Sequence, residues 1–86
     1  MALEQDFAAA QARVKRLPTA PDTSSLLALY AIYKQATLGD LEGKRPGLLD
    51  LKGRAKYDAW ASKKGLAKPA AMQAYVTLVD RLTAGQ

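Results

Sequence analysis

Apolar residues recur along the first stretch of the chain at Leu3, Phe7, Ala10, Val14 and Leu17, in steps of 4, 3, 4 and 3. That rhythm draws one stripe down an α-helix and predicts a first helix over Leu3–Leu17. Pro18 and Pro21 break it, because proline lacks an amide hydrogen and restricts the residue before it. Asp22, Thr23 and Ser24 are each suited to cap a second helix. This helix is predicted from Thr23 to Leu38, with Gly39 as its C-terminal glycine. From Gly39 to Asp50 no period fits, and Gly39, Asp40, Gly43, Pro46 and Gly47 mark a loop. It is long for a small domain, which often signals function. A third helix is predicted over Leu51–Lys64, with Gly65 behind it. A fourth opens near Pro69, a residue suited to a first helical turn. It carries Met72, Tyr75, Val76, Val79 and Leu82 on one face and stops before Gly85. No alternating strand pattern and no internal repeat occur. The expectation is an all-α fold of four helices.

Composition narrows the function classes. The 86 residues, 49% hydrophobic and 24% charged, suit one globular domain over residues 1–86 and argue against disorder. The chain contains neither Cys nor His. That excludes a disulfide framework, a thiolate or imidazole metal site, and a Cys–His or Ser–His nucleophile pair. Paired-carboxylate motifs and a glycine-rich phosphate loop are also absent. The expectation is a protein that is not an enzyme and carries no metal or cofactor. No apolar run approaches the ~20 residues of a membrane span. The opening Met1-Ala-Leu-Glu-Gln-Asp bears acids where a signal peptide bears bases, so the expected setting is cytoplasmic.

Charge adds a direction. Thirteen Lys and Arg against eight Asp and Glu give +5. Between Lys44 and Lys68 stand eight bases (Lys44, Arg45, Lys52, Arg54, Lys56, Lys63, Lys64, Lys68) against two acids, Asp50 and Asp58. Arg13, Lys15 and Arg16 form an earlier cluster. Such a field suits an anionic partner: nucleic acid, acidic lipid or a phosphorylated small molecule. On a helical wheel Leu26, Tyr30, Tyr33 and Thr37 share a ridge, with Leu29 and Ala36 on one flank and Leu27 and Lys34 on the other. Read alone, the wheel makes Tyr30 and Tyr33 core aromatics, with Lys34 snorkelling to water. The alternative reading stacks an aromatic ligand on the Tyr30 phenol and holds a phosphate at Lys34, one turn away. Lys52, Lys56 and Lys63 fall on one face of the third helix, with Trp60 a turn beyond Lys56. Three ammoniums on one face repel unless an anion settles among them. Nucleic acid fits poorly, because no helix is basic along its length.

Two long segments and one short one carry a family resemblance. Tyr30-Ala-Ile-Tyr-Lys-Gln-Ala-Thr-Leu-Gly-Asp40 resembles the YxxYKQATxGD signature of the acyl-CoA-binding protein family. Arg45-Pro-Gly-Leu-Leu-Asp-Leu-Lys-Gly-Arg-Ala-Lys-Tyr-Asp-Ala-Trp60 resembles its RPGxxDxKGxAKxDAW block, and Ala71-Met-Gln-Ala-Tyr75 its AMxAY segment. The resemblance implies an up-down-down-up bundle of four helices. It further implies a cytoplasmic monomer that binds medium- to long-chain acyl-CoA esters and catalyses nothing. Such a protein carries and pools acyl-CoA in lipid metabolism, touching donor and acceptor enzymes or membranes transiently. Carried over residue by residue, Tyr30 and Lys34 meet the adenine and the 3′-phosphate, with Tyr33 nearby. Lys56 meets the same phosphate, Tyr75 belongs to the nucleotide site, and Lys15 reaches the phosphate end. Leu27 and Lys52 complete the expected set. Departures from the pattern are Tyr57 in place of a common Trp, Ala67-Lys-Pro69 in place of a Ser-x-Glu cap, and Gln11 near the acyl groove. Rival classes are a nucleic-acid module, marked by a steep salt slope, and a membrane-surface or protein-interaction domain.

Overall fold

The computed structural model describes residues 2–84; Gly85, expected just past the fourth helix, lies outside them. Four helices follow in order, α1 (Leu3–Lys15), α2 (Thr23–Thr37), α3 (Leu51–Ala61) and α4 (Lys68–Ala84), with no strand among the described residues. Asp22 caps α2, its carboxylate accepting from the Ser25 amide at 2.9 Å. Asp50 caps α3 in the same way through Gly53, also at 2.9 Å. A Cβ at Gly53 would run into the Asp50 carboxylate, so the glycine keeps that cap in place.

Two helices end sooner than their periodicity implies. α1 stops at Lys15 rather than Leu17, closed by a tight turn in which the Arg16 amide reaches Arg13 O at 3.0 Å. Pro18 explains it by pushing Leu17 out of helical geometry. α3 stops at Ala61 rather than Lys64, and three-residue turns continue from it: Lys63 N to Trp60 O at 2.9 Å, Lys64 N to Ala61 O at 3.2 Å. Lys63 thus lies in the turn beyond α3, and of the three predicted ammoniums the helix itself carries Lys52 and Lys56. α4 opens one residue before Pro69, and Ala67 ahead of it supplies a backbone carbonyl to Ala71 N at 2.9 Å.

Packing runs α1 on α4, α4 on α2 and α2 on α3, in a slab whose Cα extents are 39 × 28 × 15 Å. The core joins Phe7 and Ala10 of α1, Leu29, Ile32 and Ala36 of α2, and Ala71, Tyr75 and Val79 of α4. Three of these eight are alanines, which let the backbones approach closely while Phe7, Leu29 and Ile32 each contribute ~1.5–3 kcal/mol of burial. Phe7 meets Tyr75 edge-on, ring centroids 5.1 Å apart at 88°. In α2 the core takes the Leu29–Ile32–Ala36 line, while no residue of the Leu26–Tyr30–Tyr33–Thr37 ridge is buried and Tyr33 only flanks Phe7 at the core's edge. α3 buries no residue fully.

Polar ties hold what the core does not. Gln35, 1% exposed, donates through Nε2 to Asp40 Oδ1 and to Leu66 O, both at 2.8 Å. The Gly65 amide donates to the same Asp40 oxygen at 2.8 Å, and Trp60 Nε1 donates to Gly39 O at 2.9 Å. Gly39 and Gly65 sit at φ 85° and 90°, where a side chain would be strained. The Gly65 amide, then Gln35 and the field of Lys64, hold the Asp40 carboxyl below its ordinary range. The loop is fastened to α3 by a two-pronged Arg45–Asp58 pair, at 3.0 and 2.6 Å, and by Tyr57 donating to Gly43 O at 3.2 Å. The hydroxyl that distinguishes Tyr57 from the family's common Trp thus has a partner.

Gln35→Leu fills the same space but takes away the donor that ties Asp40 to Leu66 O, so it should lower unfolding free energy by ~0.5–1.5 kcal/mol. Urea melts should show a lower midpoint at unchanged slope. Asp40, Asp58 and Asp22 are all held below their ordinary values, by the Gly65 amide, by Arg45 and by Ser25 respectively. A depressed carboxylate stabilises the fold fully above the unfolded value of about 4 and loses that contribution as pH falls through the lowered one. Urea midpoints should therefore drop below about pH 4, and the drop should be shallower in Asp40→Asn.

Candidate functional site

α2 and α3, side by side, enclose an open hollow of about 360 Å³. Thr23, Leu26, Leu27 and Tyr30 line it from α2, and Lys52, Ala55 and Lys56 from α3. On α3 these are positions i, i+3 and i+4, one face of the helix. Leu26, Leu27 and Ala55 make the wall apolar, while Tyr30, Lys52 and Lys56 bring in a phenol and two ammoniums. The hollow therefore has the two characters of an amphipathic ligand site: an apolar lining with a few convergent polar groups.

The polar end is built around one ring. Lys34 Nζ lies 5.7 Å from the Tyr30 ring centroid and Lys56 Nζ lies 5.3 Å from it. Lys34 Nζ is also 5.9 Å from the Trp60 ring. Lys34 reaches there because it stands one helical turn after Tyr30; Lys56 arrives from the neighbouring helix. Among the described residues the ion pairs are Arg13–Asp80 and Arg45–Asp58, so neither ammonium is matched by a carboxylate. A dianion at this point would have two charge-assisted donors and an aromatic face beside them.

The eight sequence-predicted residues fall into three groups. Leu27, Tyr30, Lys52 and Lys56 line the hollow and Lys34 joins them at Tyr30. Tyr33 and Tyr75 gather around Phe7, whose ring centroid is 6.0 Å from that of Tyr33 and 5.1 Å from that of Tyr75. They differ in access: Tyr33 is 38% exposed and Tyr75 only 6%. Burial pushes the Tyr75 phenol above its ordinary value, and Tyr33 adds to the effect. Lys15 stands exposed in the last turn of α1, a helix packed on α4 and not on α3. The wheel reading of Tyr30 and Tyr33 as core aromatics gives way here, because the core of α2 lies on the adjoining line. Ala55, Thr23 and Leu26 were not singled out as site residues. Ala55 had a legible signal, since it completes the Lys52–Lys56 face as the small residue between two ammoniums. Gln11, the departure near the expected acyl groove, turns back to donate to Phe7 O at 3.4 Å.

Among the described residues no group of three or more carboxylate, thiol or imidazole side chains is close enough to hold a metal ion. No helix among them is long and apolar enough to cross a membrane. The sequence profile of the family described as "Acyl CoA binding protein" matches residues 4–79. The chain belongs to the acyl-CoA-binding protein family.

Its relatives in the family include "Acyl-CoA-binding protein homolog 1" of Caenorhabditis elegans, 54% identical over 78 residues that make up 91% of each chain. An acyl-CoA-binding protein homolog of Manduca sexta is 48% identical over 85 residues, 98% of this chain and 94% of that one. The crystal structure of acyl-CoA-binding protein 2 from Oryza sativa superposes with a TM-score of 0.92 at 38% identity, covering 98% of this chain and 93% of that one. The four-helix arrangement is thus the acyl-CoA-binding protein fold. Along Tyr30–Asp40 the family signature divides by direction. Gln35, Ala36, Gly39 and Asp40 serve the core and the polar ties, whereas Tyr30, Tyr33 and Lys34 face outward.

The two tyrosines separate by stability. Tyr75→Ala removes a ring from the core and should cost ~3–5 kcal/mol of unfolding free energy. Tyr30→Leu, at the half-exposed wall of the hollow, should cost less than ~1.5 kcal/mol. Urea melts of the ligand-free variants measure both.

Proposed function

We propose that this chain binds medium- to long-chain acyl-CoA esters in the hollow between α2 and α3 and carries them as a soluble pool. The observation that carries the reading is the convergence of Lys34 and Lys56, neither paired with a carboxylate among the described residues, on the Tyr30 ring at the polar end of an apolar hollow. Acyl-CoA has the same two characters. Its adenine stacks on Tyr30, its ribose phosphate takes Lys34 and Lys56, and its tail follows Leu27 and the apolar wall. Each charge-assisted phosphate contact contributes ~1.5–3 kcal/mol, and each buried methylene ~0.8 kcal/mol. Lys52 extends the positive rim, and Lys15 meets the phosphate end from α1. Tyr33 flanks the nucleotide, and Tyr75 supports it from beneath through the Phe7 cluster.

The chemistry is binding, not catalysis. An ammonium–phenol cluster holds phosphate and shields the thioester, and the reading assigns it no metal, no cofactor and no catalytic residue. The protein acts as one acyl-CoA-binding domain over residues 1–86, a monomer in the cytoplasm that meets donor and acceptor enzymes or membranes transiently. Nucleic acid is no part of the reading, since no helix is basic along its length.

Calorimetric titration with palmitoyl-CoA, free CoA and palmitate tests it: the ester should bind tightly and either half much more weakly. Equal affinity for ester and palmitate would overturn the reading. Lys34→Ala and Lys56→Ala should each weaken ester binding by ~1 kcal/mol or more, about fivefold or more, with circular dichroism unchanged. With 3′-dephospho-acyl-CoA the same substitutions should matter far less. Tyr30→Leu should weaken binding by ~1–3 kcal/mol, the scale of base–aromatic stacking.

A further inference from the structure

The turn that leads into α3 exposes three leucines within four residues. Leu48, Leu49 and Leu51 are 76%, 99% and 75% exposed, each far beyond what an ordinary surface leucine needs. The loop around them is held in place, not loose. Arg45 is paired with Asp58, Tyr57 grips Gly43, and Asp50 is turned inward to cap Gly53. A fastened loop that presents its leucines to water is a preformed apolar tip.

The charge around the tip indicates its partner. From Lys44 to Lys52 the sequence reads three bases (Lys44, Arg45, Lys52) against one acid, Asp50. Arg45 is matched by Asp58, while Lys44 and Lys52 form no ion pair among the described residues. An apolar tip bracketed by unpaired ammoniums fits an anionic lipid surface: leucines enter the acyl boundary while the lysines stay at the headgroups. Leu51 also stands one helical turn before Ala55 on α3, so the tip adjoins the rim of the hollow.

We propose that Leu48, Leu49 and Leu51, flanked by Lys44 and Lys52, form a docking tip for an anionic bilayer, one that sets the mouth of the α2–α3 hollow against the membrane. An ester leaving the bilayer would then enter the hollow without crossing bulk water. The transfer half of this inference rests on the acyl-CoA reading above; the docking half stands apart from it.

Flotation of the full chain with phosphatidylcholine vesicles, with and without phosphatidylserine, tests the docking. The ligand-free protein should float with the anionic vesicles and much less with the neutral ones, and added salt should release it. Leu48→Ser combined with Leu49→Ser should cut anionic-vesicle binding about tenfold or more, given the apolar area withdrawn. Lys44→Gln should cut it several-fold, whereas solution affinity for palmitoyl-CoA should hold in both variants. Equal flotation of wild type and the double-serine variant would overturn the proposal. So would a parallel loss of ester affinity in the double-serine variant, which would assign the leucines to the ligand's tail. Light scattering that shows a dimer abolished by the same serines would assign the tip to a second copy of the chain and overturn it too. Intact anionic flotation in a protein that binds no ester would uphold the docking and defeat only the acyl-CoA reading.

Discussion

A single buried amide sets the relation between the helices that carry the site. Gln35 lies at the end of α2 with its Nε2 fully engaged, one hydrogen to Asp40 and one to Leu66 O. Asp40 begins the long loop, and Leu66 follows the turn after α3. One side chain therefore fixes where the chain leaves α2 and where it returns towards α4. The Gly65 amide on the same carboxylate oxygen and the Trp60 indole on Gly39 O close the knot. The knot joins the end of α2 to the turn after α3 and so helps fix the height at which α3 lies along α2, with Lys56 and Lys34 at the Tyr30 ring. The cost of leaving such a group unpartnered in a dry interior is what makes the arrangement specific rather than merely stable.

The site inverts the logic of the core. The core closes on itself through apolar contact, whereas Lys34 and Lys56 bring like charges to one ring with no carboxylate partner among the described residues. An anion arriving beside that ring would meet two ammoniums for which no carboxylate among the described residues competes, and its hold would weaken with salt as surface electrostatics do.

Much of this was legible in the residues. The 3–4 rhythm of α1, the prolines after it and the Asp caps located the helices to within a few positions, because local physics decides those features. The ends of α1 and α3 were less legible: they are set by Pro18 acting backwards and by the pull of Gly65 onto Asp40, a contact 25 residues apart in sequence. The wheel placed Tyr30, Tyr33 and Lys34 correctly relative to one another. It did not indicate which line of α2 faces α4, because Leu29–Ile32–Ala36 and Leu26–Tyr30–Tyr33 are both apolar enough to be buried. Burial by a neighbour is a tertiary fact, and no periodicity within one helix encodes it. Likewise the wheel ran the basic face of α3 on to Lys63, whereas the helix ends at Ala61 and leaves that residue in the turn beyond it.

α3 packs on α2 alone and buries no residue fully, while carrying half of the hollow. In the language of local unfolding, a helix with so little burial is the one expected to open at the lowest cost, since Phe7, Ile32, Tyr75 and Val79 pack without it. Its amides should be the first of the helical ones to exchange with deuterated water. A ligand seated between α2 and α3 would bridge the seam that opens most readily, so occupancy is also the last fastening of the fold. The protein would pay for each binding event with the residual freedom of one helix, and each release would restore it.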